Sequence, residues 1–425
     1  MKRFFTHLFL ALLLVSLPVI LMAQDYSKNY GNTPDELLPY RNIKKPNQYY
    51  FATPYPYLGP GRDKPAPKVD SVRIGFLGPL EGSVLMAYGK QMLNGAMLAI
   101  EEANAKGGYK GLPFNLIVHN DVGLWGAAAN TVVRMDDEHV WAFLGSIDDI
   151  VTHVALRAAL KTEIPMVNTG DPDPTLTETR IPWLVRIIPD DRQSVYQLIS
   201  YIFHKKGYKN VALIRNNNRY GRVATKELKD CADRVGHPMI TEMRFTDGES
   251  DFTSRLQVIR NQNPDAVVIW GNPREMGLIV KQMRAMGMKQ QIFTSDRAVN
   301  PEFLKIAGKD AEGIVTTCQY NPDSKDPRYL EFKGNYEKRF GMEPDVFAAY
   351  AYDGMDITIK AIQIAGLNRA KIRDVLLDLK TFQHYHGVTG DIYLDPSWAN
   401  IRQIYMAEIH QGKFEFYPAV YQVEQ

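Results

Sequence analysis

The run Ala266-Val267-Val268-Ile269-Trp270 is apolar at every position. A strand with one wet face alternates apolar and polar residues, so this one must be covered on both faces, as in a parallel sheet between helix layers. Further strands read as Val72–Leu77, Phe114–His119, Val140–Leu144, Pro165–Asn168, Val211–Ile214, Met239–Arg244, Gln291–Thr294 and Ile314–Cys318. Between these strands the apolar spacing turns helical. Met92, Ala96, Ala99, Ile100 and Ala103 precede a Gly107-Gly108 stop, and Met276, Ile279, Val280, Met283 and Met286 precede Gly287. Each such helix reads as a right-handed crossover packed on a sheet, with its methionines as core filler.

The strand-helix series runs twice, once before about Pro189 and once after, which predicts an α/β fold of two doubly wound Rossmann-like lobes. Short crossings near Asp190, Gln319 and Asn400 would form a three-segment hinge. That assigns 71–189 plus 319–399 to lobe 1 and 190–318 plus 400–425 to lobe 2. Multiple crossings allow two lobes to close on something between them.

The ends add a compartment. Met1-Lys2-Arg3, an apolar run from Phe4 to Met22 and small Ala23 read as a secretory signal peptide over 1–23, cleaved near Ala23. The competing reading is an uncleaved anchor, but Thr6, His7, Ser16 and Pro18 interrupt the run and no basic stop-transfer flank follows. Residues 24–70 are rich in proline and tyrosine, which suits an arm rather than a domain. It could wrap its own body or dock a partner. Removing Lys2 and Arg3 with the leader leaves basic and acidic residues equal in number. Such a balance points to no nucleic acid and no anionic membrane surface. Cys231 and Cys318 have neither metal nor redox spacing, and could form a bridge or two buried thiols.

The first βα unit, Ser71 to Gly108, resembles the opening of branched-chain amino-acid type periplasmic solute-binding proteins. Further matches are Asn120-Asp121, Ile164-Pro165-Met166-Val167, Arg219-Tyr220-Gly221, Asn263-Pro264-Asp265-Ala266-Val267, Tyr350-Ala351-Tyr352-Asp353 and Gly387-Val388-Thr389-Gly390. The resemblance runs from about Val72 to Phe416 and implies a type I periplasmic binding fold. It also implies a receptor of an ABC importer with a small-molecule solute, membrane permease subunits as partners, a periplasmic location and a monomer. A sensory protein of the same fold, signalling to a membrane partner, is the alternative.

In that family, serine and threonine hydroxyls and backbone N–H groups of two first-lobe loops hold the ligand carboxylate, while a second-lobe acid takes the ammonium. The resemblance places Asp296 as that acid, Tyr220 along the ligand, and Tyr88 and Tyr352 among the cleft aromatics. Asp296 could instead cap the helix before Pro301, and the tyrosines could be ordinary packing. The carboxylate loops correspond to Ser146, Asp148 and Asp149, and to Thr169, Gly170 and Asp171. Here the chain departs from the pattern: Pro172 replaces the carboxylate-binding threonine, and aspartates stand where an anion should dock. That departure favours a neutral polar or amine-bearing solute, unless the aspartates cap helices and point away.

No nucleophile elbow, zinc-protease helix or phosphate loop occurs, so no catalytic residues and no cofactor are expected. His384-Tyr385-His386 lacks a further ligand nearby, so no metal is expected either.

Overall fold

The computed structural model describes residues 61–419, apart from 123, 379, 383 and 384. The expected leader, residues 24–60 of the arm and His384 lie outside the described residues.

The first sheet is built from β1 (Val72–Gly78), β2 (Phe114–Asn120), β3 (Phe143–Gly145), β4 (Met166–Asn168) and β5 (Leu184–Arg186), in the order β2-β1-β3-β4-β5 with every pairing parallel. Its crossovers are α1 (Met86–Ala105), α2 (Trp125–Asp137), α3 (Asp149–Thr162) and the single-turn α4 (Thr175–Glu178).

After α5 (Asp191–Ser200) the same order recurs in β6 (Val211–Asn216), β7 (Thr241–Phe245), β8 (Ala266–Trp270), β9 (Gln291–Thr294) and β10 (Val315–Cys318), arranged β7-β6-β8-β9-β10. Helices α6 (Arg219–Arg234), α7 (Thr253–Asn261), α8 (Pro273–Ala285) and α9 (Pro301–Ala307) connect them. All five residues of β8 are buried, as a strand between two helix layers must be.

From β10 the chain returns to the first lobe as α10 (Pro327–Phe340), α11 (Val346–Ala365), α12 (Arg369–Leu377) and the small hairpin β11 (Tyr385–Gly387) and β12 (Gly390–Ile392). It then crosses back to add the antiparallel hairpin β13 (Tyr405–His410) and β14 (Lys413–Pro418) beside β10. β5, β11, β12, β13 and β14 do not belong to the series read from the sequence; β13 mixes buried with partly exposed residues and the edge strand β14 alternates exposed with partly buried ones, so neither leaves a continuous apolar run.

Two doubly wound lobes joined by three crossings result, and the crossings are tied to one another. Asp190 caps α5 through Gln193 N–H and takes a 2.7 Å bond from Arg186. The Gln193 side chain donates to Asn400 O and accepts from Arg402 N–H, joining the first crossing to the third. At the second crossing, Gln319 O accepts from the Tyr350 hydroxyl.

The described end of the arm lies on the first lobe. Asn368 Nδ2 donates to the carbonyls of Gly61, Arg62 and Lys64, and Arg62 pairs with Asp374 on α12.

Candidate functional site

Doubly wound sheets offer ligand sites beyond the carboxyl ends of their strands, where the strand order reverses. Here two such edges face each other. Between them lies a cavity of about 300 Å³. The first lobe contributes Gly82–Leu85 after β1, Val122 and Leu124 after β2, and Ile147–Ile150 after β3. The second contributes Asn218–Tyr220 after β6, Asp247 after β7, Asn272 after β8 and Arg297 after β9. The first wall is largely aliphatic with two aspartates; the second is polar and carries two arginines.

Contacts span the cleft on both sides of this cavity. Arg219 donates to Asp173 Oδ2 at 2.9 Å and to Thr175 Oγ1 at 2.9 Å. Opposite, the Tyr88 hydroxyl donates to Arg297 O at 3.4 Å and accepts from Asn300 Nδ2 at 3.3 Å.

Of the residues singled out from the sequence, Asp148, Asp149 and Tyr220 line the cavity. Asp148 is the N-cap of α3, accepting from Ile150 N–H and Val151 N–H at 3.0 Å each. Asp149, one residue on, is buried and leaves Oδ1 without a partner. Burial and the nearby Asp173 raise its carboxyl to about 7. It hydrogen-bonds with Asp171, which burial and Asp149 hold well above the usual carboxylate range.

Ser146, Thr169, Gly170 and Asp171 form the layer behind. Ser146 donates to Asp121 at 2.6 Å within its own lobe. Thr169 Oγ1 and Asp171 Oδ2 are buried without partners, and Gly170 packs against Met92 and Ile147.

The structure places two residues differently from the expectation. Tyr352 does not face the cleft: it donates to Glu102 at 2.6 Å and lines a separate groove of about 490 Å³ between α1, α10 and α11. The register of α11 decides this, because the inward-facing tyrosine of that stretch is Tyr350. Asp296 is buried with both oxygens engaged, Oδ1 by the Tyr220 hydroxyl at 3.0 Å and Oδ2 by Gln319 Nε2 at 2.5 Å. It is not a helix cap either, since Asn300 caps α9.

Sequence reasoning passed over Arg297 and Asp191. Arg297 is buried, its guanidinium lies 3.6 Å from the Tyr220 ring centroid, and among the described residues its one hydrogen-bond acceptor is Asn272 Oδ1 at 2.8 Å. Asp191 leaves Oδ1 without a partner, and burial with Asp296 and Asp149 nearby raises its carboxyl well above the usual range. The adjacency of Arg297 to Asp296 was the available signal.

Among the described residues no cluster of three or more His, Cys, Asp or Glu could hold a metal ion, and no helix is long and apolar enough to cross a membrane.

Two jointed α/β lobes with a polar cavity between facing switch points define a two-lobed ligand-binding protein. The chain belongs to the periplasmic binding protein family, whose model matches residues 71–413. It is 27% identical over 357 residues to Leu/Ile/Val-binding protein homolog 2 of Brucella abortus, covering 81% of this chain and 93% of that one. Among solved structures it is similar to the branched-chain amino acid transporter substrate-binding protein LivJ of Streptococcus pneumoniae in complex with isoleucine, with a TM-score of 0.75 and 26% identity, over 82% of this chain and 99% of that one. The leucine-binding protein LivK of Thermotoga maritima gives a TM-score of 0.73 and 25% identity, over 81% and 97%.

Proposed function

We propose that this protein is an exported receptor that captures a small polar solute between its lobes and presents it to ABC permease subunits in a membrane. The observation that carries this reading is the cavity of about 300 Å³, whose walls come from strand-end loops of both lobes. A site so divided couples binding to closure, because only the closed form makes both sets of contacts. Closure is what a permease can recognise.

The solute is an amino acid, amide or related amine. Asp149 Oδ1, Asp171 Oδ2 and Thr169 Oγ1 are buried polar atoms without partners at or just behind the first-lobe wall. Of these, the Thr169 hydroxyl has no partner among the described residues, while Asp149 and Asp171 share a hydrogen bond and leave one oxygen each for a polar solute. An unpaired buried polar group costs about 1–3 kcal/mol. Hinge bending at Asp190, Gln319 and Asn400 would open the cleft, with 71–189 and 319–399 moving against 190–318 and 400–425.

The test is mass spectrometry of the solute that accompanies the natively expressed protein, followed by small-angle scattering with and without it. A smaller radius of gyration with solute, and reduced uptake of that solute by cells lacking the protein, is the expected result. A single rigid profile under both conditions would remove the receptor reading.

A further inference from the structure

Resting on that reading, we infer that the cleft receives its solute with a carboxylate directed at Arg297 of the second lobe, away from the first-lobe loops. The solute it selects is therefore an acid whose body lies along the aliphatic first-lobe wall.

The second-lobe wall supplies the positive evidence. Arg297 is 4% exposed, yet no carboxylate forms an ion pair with it among the described residues. The neighbouring Asp296 directs both of its oxygens to Tyr220 and Gln319 and makes no direct bond to the guanidinium. A guanidinium carries five donors, and here one hydrogen bond to Asn272 and the face of Tyr220 hold it. Asp149 and Asp296 favour its charge from beyond ion-pair distance, and the guanidinium keeps donors that a further acceptor can take. Its place on the cavity wall lets a solute be that acceptor. The planar guanidinium matches a carboxylate through two parallel N–H···O bonds, which a lysine ammonium cannot reproduce.

The first-lobe wall supplies the negative evidence. A carboxylate docked after β3 would meet Asp149, which would repel it once Asp149 loses its proton as pH passes about 7. Two of the N-terminal N–H groups of α3 that could receive an anion, those of Ile150 and Val151, are already taken by Asp148. Val84, Leu85, Val122, Leu124, Ile147 and Ile150 on the same wall suit an apolar body instead.

The experiment uses L-leucine and the two molecules that each lack one of its charged groups, 4-methylpentanoate and 3-methylbutylamine, together with 4-aminobutanoate. Thermal shift and calorimetry with the full chain should show stabilisation by 4-methylpentanoate or 4-aminobutanoate and none by 3-methylbutylamine. Arg297→Met should weaken that binding about tenfold to a hundredfold, the worth of a charge-assisted pair, and Arg297→Lys should fall between. Should these variants fold poorly, a crystal structure of the natural sequence with the bound acid keeps the question open to decision: the carboxylate should hydrogen-bond Arg297. Stabilisation by 3-methylbutylamine alone, acid binding that survives in Arg297→Met, or a carboxylate seated on the first-lobe loops would overturn the inference while leaving the receptor reading intact. An absence of binding by all four would also overturn it, and the receptor reading would still face its own test with the co-purifying solute.

Discussion

Arg219, at the start of α6 in the second lobe, donates its Nε–H to Asp173 Oδ2 in the first lobe at 2.9 Å, and the same carboxylate lies 3.1 Å from His153 Nε2. This pair links the lobes beside the cavity, and on the receptor reading it would hold them together. Arg219→Ala should shift the population toward the open form, visible as a larger radius of gyration in scattering. Because Arg219 is a third exposed, solvent screening holds the loss to about 1–2 kcal/mol. Solute affinity should then weaken roughly fivefold to thirtyfold. An unchanged profile and affinity would show that the contact does not contribute to closure.

Asp149 gives the fold a pH dependence of definite sign. Its carboxyl is raised to about 7, so the folded state holds a proton that the unfolded chain releases at the ordinary carboxylate value. The corresponding stability is fully present in acid and is lost as pH rises through about 7. Asp149→Asn should flatten that fall, by on the order of 2 kcal/mol, in urea unfolding followed from pH 5 to pH 8. Asp171 and Asp191, also raised, should leave some slope behind. A variant with an unaltered slope would place the proton elsewhere.

Gly95 on α1 is required by a close approach of helices. A Cβ there would lie 2.1 Å from the backbone oxygen of Ala348 on α11. Gly95→Ala should therefore destabilise by about 3 kcal/mol or more, although alanine is the better helix former. Gly334→Ala on α10, where nothing lies within 4 Å of the new Cβ, should stabilise by about 0.5–1 kcal/mol. Equal effects of the two in chemical denaturation would contradict the packing described here.

Both cysteines are buried, and the structure does not bridge them to each other. Cys231 packs in the α6 core of the second lobe, whereas Cys318 ends β10 in a different cluster, beside Tyr320 and Tyr329. Burial pushes the Cys318 thiol up to about 12. The native protein should not react with a thiol reagent at mildly alkaline pH, and the unfolded chain should reveal two thiols. A mass two hydrogens lighter under oxidising conditions would show a bridge instead.

The lobes were legible because their determinants are local. Continuous apolar runs such as Ala266–Trp270 are buried on both faces, and the Met92–Ala103 periodicity lies within α1. The first-lobe loop was also legible in outline, since Asp148 and Asp149 do stand at the cavity. What they do there was not. Adjacent residues at a helix start point differently, so Asp148 turns back to cap α3 while Asp149 is enclosed with Asp171.

Sequence by itself determined the alternation of strands and helices, the repeat of one winding order, and the presence of acids in the loops after β3 and β4. Only the tertiary structure decided that Arg297, rather than Asp296, lines the cavity, and that Tyr352 looks into another groove. The reason is physical. Periodicity reports burial along one element, but which of two neighbouring polar side chains reaches a cleft depends on the partners that claim the other, and Tyr220 and Gln319 claim Asp296 from 76 and 23 residues away.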